Sequence, residues 1–293
     1  MINFLLILFC IVLYTLQTLF FKMYGDRYPG DPRYTTFVYA TISGVVALLI
    51  SFAAGGFSFE FDLLTFILGA INAAAYFFYY LLTQISSNNG PYSGVMVFSV
   101  TGGIALPILT SVIAFSDFPS IWKILCLLVI FISGYLVNKR ANESMKNKKK
   151  FIISGFLLAI ANGTYGSLIN LQQAYTGESQ KTEMLIYTFG IAAIFSFIYI
   201  ILKNGRNTLA VYKQTKSSLI FLILAAAVAA TAVNILVIIA KFIDINLLWT
   251  FCNSGVIVLS VIASAILFKE KLSRINLIGC AIIVVTLVLI SYT

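Results

Sequence analysis

Histidine is absent from this chain, and the spacing of its few cysteines is not that of a disulfide pair or a metal site. The four cysteines, Cys10, Cys126, Cys252 and Cys280, fall inside separate apolar runs and have no CxxC spacing. We therefore interpret them as small hydrophobic residues and predict neither a disulfide nor a metal site. Because no nucleophile stands beside a possible base, the sequence does not support acid–base or covalent catalysis. We predict that the protein is not an enzyme and needs no cofactor.

Charge is also scarce, and this scarcity indicates the class of protein. Only 10% of the residues are charged, whereas 60% are hydrophobic, and the mean hydropathy is +0.99. Such a chain has too little polar surface to cover a soluble globule, and it is typical of a multi-pass membrane protein. The net charge of +9 resides in short segments between apolar runs. This placement indicates orientation in a lipid bilayer and no nucleic acid partner.

The apolar runs predict ten membrane-spanning helices. A span needs about 20 apolar residues. Segments of this kind lie near 2–22, 35–54, 62–84, 92–115, 119–138, 151–175, 183–203, 217–240, 245–268 and 274–292. The first segment has neither a preceding basic region nor a small-residue cleavage site, so we expect a span and not a signal peptide.

Residues 139–150, KRANESMKNKKK, divide the predicted spans into two groups of five. This linker carries six of the 19 basic residues of the chain. Because an odd number of spans precedes it, the second group enters the membrane from the opposite side, as in transporters built from inverted repeats. We predict an all-α membrane protein of ten transmembrane helices, with inverted five-helix repeats at 1–138 and 151–293 and a basic cytoplasmic linker between them.

The polar residues expected at membrane depth are uncharged. All ten aspartates and glutamates lie in loops or at the ends of predicted spans, whereas an ionisable group inside the bilayer would mark a functional site. Asn72, Tyr76 and Tyr80 recur every four positions and so share one face of the third span. The candidate substrate-binding residues are Tyr14, Gln17, Asn72, Tyr76, Asn162, Tyr165, Asn234, Trp249 and Asn253. The alternative interpretation is that such side chains only form hydrogen bonds between helices.

Helix-perturbing residues also occur inside predicted spans. Pro107 lies within the fourth span and predicts a kink that faces a cavity or a neighbouring helix. Gly102, Gly103 and Gly255 have two interpretations. They could let a substrate or a moving helix approach the backbone, or they could allow close static packing.

The segment FKEKLSRINLIG at 268–279 resembles the last helix pair of the drug/metabolite transporter superfamily, in its EamA-like ten-helix branch. The residues that carry the resemblance are Phe268, Glu270, Leu272, Ser273 and Gly279, followed by an aliphatic run. The resemblance implies a transporter of small metabolites with a central cavity lined by spans 1, 3, 4, 6, 8 and 9.

The first span carries a second resemblance. Its segment LYTLQTLFFK at 13–22 is similar to the first helix of the small multidrug resistance members of the same superfamily. Those members have a glutamate, which binds protons and cationic drugs, where this chain has Tyr14. The difference argues against proton-coupled export of cations.

The sequence therefore predicts a membrane transporter of a small neutral, zwitterionic or aromatic metabolite, working by alternating access as a facilitator or an exchanger. The resemblance and the uncharged Tyr, Trp and Asn candidates support this expectation. One alternative is an exporter of amphipathic cationic drugs that are held by aromatic faces. An alternative of another class is a non-transporting membrane scaffold or sensor. The expected partners are a small-molecule substrate and the bilayer, and the expected state is a monomer or a homodimer.

The distribution of basic residues predicts the orientation. Sixteen of the 19 Lys and Arg residues fall in the loops after predicted spans 1, 5, 7 and 9. Under the positive-inside rule, the side that holds these loops is cytoplasmic. We predict a multi-pass protein of the cell membrane with both termini outside.

Overall fold

The computed structural model describes residues 2–90, 92–116, 118–137, 147–176, 180–240, 242–243, 245–267 and 273–290. Within these ranges the chain is helical and contains no strand. The helices are α1 (Ile2–Arg27), α2 (Thr35–Ala54), α3 (Leu63–Ser87), α4 (Tyr92–Phe115), α5 (Ile121–Val137), α6 (Lys148–Thr176), α7 (Lys181–Asn204), α8 (Thr208–Lys213), α9 (Leu219–Ile239), α10 (Ile245–Leu267) and α11 (Arg274–Ile290). Short 3-10 turns at Pro32–Tyr34 and Gly205–Asn207 precede α2 and α8.

Seven helical stretches of the described chain are long and apolar enough to cross a membrane. They are Phe4–Arg27, Pro32–Ala54, Leu63–Ser87, Phe98–Phe115, Lys148–Thr176, Lys181–Lys213 and Leu219–Ile239. Shorter apolar helices occur at Ile121–Ser133, Leu247–Ala263 and Arg274–Leu289. Each predicted span thus contains a helix, and the all-helical fold with several membrane-length helices is confirmed. The count of ten crossings stays a prediction.

The helix ends differ from the predicted ends where the sequence turns polar. α1 continues to Arg27 and α6 already begins at Lys148, whereas the predicted spans end at 22 and begin at 151. The predicted spans stop where the apolar residues stop, but backbone hydrogen bonding does not depend on apolar side chains and continues into the polar zone. In α6 the added residues are three lysines, which are good helix formers. The six-residue helix α8 lies in a segment that was expected to be a loop. It is too short for hydrophobic periodicity to reveal it.

The described helices form two compact units that cut across the predicted sequence halves. The first unit comprises Met1–Ile11, Leu81–Leu171 and Ala240–Thr293, and the second comprises Val12–Tyr80 and Gln172–Ile239. Each unit therefore takes helices from both predicted repeats. The repeats are defined by order along the sequence, which the grouping of helices in space does not test, so their boundaries stay a prediction.

In the second unit, α2 packs against α7 and α9. Glycines allow the closest approach. A Cβ atom on Gly44 of α2 would lie 2.7 Å from the carbonyl oxygen of Phe189, and one on Gly190 of α7 would lie 2.9 Å from Cδ1 of Leu48. Small residues at such crossings let two helices approach closely in a bilayer, where van der Waals contact replaces the hydrophobic effect as the driving force.

In the first unit, α5 packs against α11, and α4 packs against α10. Their shared apolar cluster consists of Val100, Ile104, Leu127, Ile130, Ile257, Ile283 and Leu287. α4 also meets α6 closely, because a Cβ on Gly102 would overlap the backbone of Ala159. Asn276 joins the start of α11 to the end of α5 by donating from Nδ2 to the carbonyl oxygen of Leu136 over 3.4 Å.

Candidate functional site

The first unit contains a polar cluster that four of the nine predicted candidates join. The α6–α10 cluster, as we call it, is defined by position along the two helices and consists of Asn162, Tyr165, Ser167 and Asn170 on α6 and of Trp249, Asn253 and Ser254 on α10. Contacts join Asn170 to Trp249 and bring Asn162 and Asn253 to Gly103. At its centre, the indole Nε1 of Trp249 donates a hydrogen bond to Oδ1 of Asn170 over 3.1 Å. The Trp249 side chain is 8% exposed and that of Asn170 is 4% exposed. The indole is thus held in one orientation by a buried amide.

Asn162 and Asn253 converge on Gly103 of α4. A Cβ atom on Gly103 would lie 2.7 Å from Nδ2 of Asn162 and 3.1 Å from Oδ1 of Asn253. Asn162 donates to the carbonyl oxygen of Ser99 over 2.8 Å, and Asn253 donates to the carbonyl oxygen of Trp249 over 2.9 Å. The absence of a side chain on Gly103 therefore leaves room for two amide groups from different helices.

The other predicted glycines serve close packing. Gly102 lies against Ala159, and a Cβ on Gly255 would meet the side chain of Ile11. Pro107 faces α6, because a Cβ on Gly166 would lie 3.4 Å from Cγ of Pro107. Of the two predicted environments for Pro107, the described structure shows the neighbouring helix.

Three buried polar atoms of the α6–α10 cluster have no hydrogen-bond partner. They are Nδ2 of Asn170, Oγ of Ser167 and Oγ of Ser254. Buried polar groups are normally paired, so each exception calls for an explanation. Neither Asn170 nor Ser167 was among the predicted candidates. The four-residue spacing of Asn162, Gly166 and Asn170 was the available signal, since it places them along one side of α6.

The second unit contains a separate cluster of tyrosines on α1, α2 and α3. Gln17 donates from Nε2 to the hydroxyl of Tyr80, and the hydroxyls of Tyr76 and Ser43 lie 3.1 Å apart. The ring centroids are 4.9 Å apart for Tyr76 and Tyr80 and 4.5 Å apart for Tyr39 and Tyr80. The predicted candidates Gln17 and Tyr76 are both buried here, and the candidate Tyr14 is half-buried on α1. Tyr39 and Tyr80 complete the cluster and were not predicted as site residues.

Asn72 and Asn234 are engaged with neighbouring helices. Asn72 on α3 donates to the hydroxyl of Thr188 on α7 over 3.3 Å, while Asn234 on α9 donates to the hydroxyl of Ser51 on α2 over 3.0 Å. Both asparagines are buried. This geometry matches hydrogen bonding between helices, although Oδ1 of Asn72 has no partner. Their role as substrate contacts stays a prediction.

The described acidic residues lie at helix ends or in loops, with one unexpected feature. Hydrogen bonds from Arg33 hold the pKa of Asp31 below its usual range, and the backbone N–H of Thr65, at 2.7 Å, lowers the pKa of Asp62. Glu183 is in the first turn of α7, as expected, but it is 5% exposed and its Oε2 has no partner. Sequence position alone could not show that burial.

Several sequence predictions fall outside the described residues. They concern Asp117, Glu143, Glu178, Asp244 and Glu270 among the acids, the linker residues 139–146, and Phe268 and Leu272 of the resembling segment. Among the described residues, no group of three or more His, Cys, Asp or Glu side chains could hold a metal ion.

Comparison with known proteins identifies a shared fold. No family model matches the chain, and no curated protein matches it. Among solved structures, 28 chains match. One, described only as a crystal structure of a protein, aligns over 99% of this chain and 98% of its own with a TM-score of 0.66 and 14% sequence identity. At that identity, the similarity shows the fold alone.

Proposed function

We propose that this protein is a membrane transporter that moves a small neutral, zwitterionic or aromatic metabolite by alternating access, as a facilitator or an exchanger. The observation that carries the proposal is the incomplete hydrogen bonding of the α6–α10 cluster, at Asn170, Ser167 and Ser254. Inside a bilayer, water is not available to satisfy such groups, and each unsatisfied one is costly. A bound solute that supplies the missing hydrogen bonds would explain why these unpaired polar atoms are present.

The chemistry of the cluster defines the class of solute. Its named side chains offer amide groups, hydroxyls and the indole of Trp249, none of which carries a formal charge. Amide N–H and hydroxyl groups suit a carbonyl or carboxylate oxygen, and the indole face suits an aromatic or apolar part of the same molecule. An amphipathic cation held by aromatic faces is the second candidate class.

We further propose the ten-helix architecture with two inverted repeats, in which α2 corresponds to α7, α3 to α9, α4 to α10 and α5 to α11. The pairs α2–α7, α4–α10 and α5–α11 all pack together, so these helices contact their own proposed counterparts, as helices beside a two-fold axis do. Asn72 on α3 bonds Thr188 on α7, and Asn234 on α9 bonds Ser51 on α2, so each bond joins a helix of one proposed repeat to a helix of the other. This arrangement agrees with the resemblance to EamA-like transporters.

The described loops support a cytoplasmic basic side within each unit. In the second unit, the guanidinium of Arg27 at the end of α1 lies 4.5 Å from the ring centroid of Phe221 at the start of α9. The basic segments after α1 and before α9 therefore share one end. In the first unit, the bond from Asn276 to Leu136 brings the end of α5 and the start of α11 together. We propose that these ends face the cytoplasm of a cell membrane.

A ligand screen tests the proposal and separates it from the scaffold or sensor alternative. Purified protein would be heated with zwitterionic amino acids, aromatic metabolites, nucleosides and the cation ethidium. A ligand raises the unfolding temperature in proportion to the logarithm of its concentration over its Kd. We expect stabilisation by at least one uncharged or zwitterionic compound, followed by its saturable flux into liposomes. A ligand that binds without any flux would favour a sensor.

A further inference from the structure

A groove lies on the first unit where α3 ends and α6 begins. It is open to the surroundings and has a volume of about 360 Å³, which is at the lower end of the roughly 300–1,000 Å³ of ligand sites. The residues that decide its chemistry are Leu82, Ile85, Ile153 and Leu157, which are apolar, and Lys149 and Lys150. The groove therefore combines an apolar wall with two cationic side chains.

Apart from Asn147 and the lysines, one polar side chain lines the groove, that of Ser154, and its hydroxyl is already engaged inside the protein. Ser86 of α3 donates to Oγ of Ser154 on α6 over 2.7 Å, and Ser154 donates in turn to the carbonyl oxygen of Lys150 over 2.8 Å. Both serines are buried. Because each hydroxyl proton is used inside the protein, the wall favours a hydrocarbon chain.

The rim of the groove is strongly cationic. Residues 148–150 are three consecutive lysines, and all are exposed. Asn147 starts the helix there, since its Oδ1 accepts from the backbone N–H of Lys150 over 2.9 Å. The preceding linker residues add Lys139, Arg140 and Lys146 in the sequence. Six basic residues next to a membrane helix match the clusters of about four to eight that bind anionic lipids.

We propose that this groove binds an anionic phospholipid, with the phosphate on Lys149 and Lys150 and one acyl chain along Ile85, Ile153 and Leu157. A soluble anion would have no use for the apolar wall, and a zwitterionic lipid would have no net charge for the lysines. An anionic membrane lipid matches both parts. This site is separate from the α6–α10 cluster and does not depend on the transport proposal.

Native mass spectrometry of the delipidated full-length protein tests this site. The protein in detergent would be titrated with dioleoyl phosphatidylglycerol or with dioleoyl phosphatidylcholine. We expect preferential retention of phosphatidylglycerol. Each lysine near an anionic headgroup contributes about fivefold in affinity, so Lys149→Gln/Lys150→Gln should weaken it about 25-fold. The matched control Lys213→Gln/Lys216→Gln changes two exposed lysines of the second unit and should retain the lipid.

Filling the groove distinguishes a built site from diffuse attraction to basic residues. Leu157→Trp and Ile153→Trp keep every lysine, and both side chains are exposed at 46% and 51%, so folding should survive. Both variants should lose phosphatidylglycerol. Equal retention of the two lipids by the parent, unchanged retention in Lys149→Gln/Lys150→Gln, or unchanged retention in both tryptophan variants would overturn the proposal.

Discussion

Replacing Ser254 with alanine should raise thermal stability and weaken substrate binding at the same time. The Ser254 side chain is 0% exposed, and its Oγ has no hydrogen-bond partner. A buried unsatisfied hydroxyl costs about 1–3 kcal/mol, so its removal should stabilise the folded protein by up to that amount. If the substrate supplies the partner, loss of the bond should weaken binding by about 0.5–1.5 kcal/mol, which is roughly two- to twelvefold.

The assay measures thermal unfolding in detergent beside the Kd for a ligand from the screen. Ser51→Ala is the matched control, because Oγ of Ser51 accepts from Asn234 over 3.0 Å. Its loss should lower stability, by about 0.6 kcal/mol on the scale of measured membrane hydrogen bonds, and leave binding unchanged. The reasoning fails if Ser254→Ala lowers stability while the folded protein binds as tightly as the parent, since Ser254 would then only join helices.

Three further predictions follow the same logic. Trp249→Ala and Asn253→Ala should weaken ligand binding by roughly 1–3 kcal/mol, whereas Val285→Ala, at a side chain 58% exposed, should change neither binding nor stability; normal binding by both cluster variants would assign them to packing. Met145→Cys should resist a membrane-impermeant thiol reagent in intact cells, because the linker is predicted to be cytoplasmic, and labelling would reverse the orientation. In liposomes without opposing solute, a pH gradient should drive no sustained uphill accumulation; accumulation that Glu183→Gln abolishes would instead make this buried carboxylate a proton carrier.

The helical segments were predictable because the bilayer imposes a length and a composition on each span. Their ends were less predictable, as α1 and α6 show, because backbone hydrogen bonding does not stop where hydrophobicity does. The helix α8 escaped prediction because six residues carry too few turns to show a periodicity. The sequence pattern also could not predict which helices group into each unit. Apolar periodicity shows which face of a helix is buried but not which helix packs against it.

The sequence could predict which polar residue types occur at the candidate site and which of them share a helix face. It could not predict the hydrogen-bond and ring partners of these residues. The four-residue spacing correctly grouped Tyr76 with Tyr80, whose rings pack together in the second unit. The same spacing placed Asn72 on that face, and both side chains meet α7: the amide of Asn72 bonds Thr188, and the ring of Tyr76 packs on Phe189. A rotation of a helix by a few tens of degrees decides such partners, and tertiary packing sets that rotation. Asn170 was overlooked because its environment, the indole of Trp249, comes from a distant part of the chain.

Counterflow of solute in liposomes tests the central claim most directly. Vesicles that contain the purified protein would be loaded with an unlabelled ligand from the screen and diluted into the same ligand in labelled form at low concentration. We predict transient accumulation of label that saturates with external concentration and weakens in Asn253→Ala. Folded, ligand-binding protein that exchanges no label above protein-free vesicles would contradict transport and leave the sensor interpretation in its place.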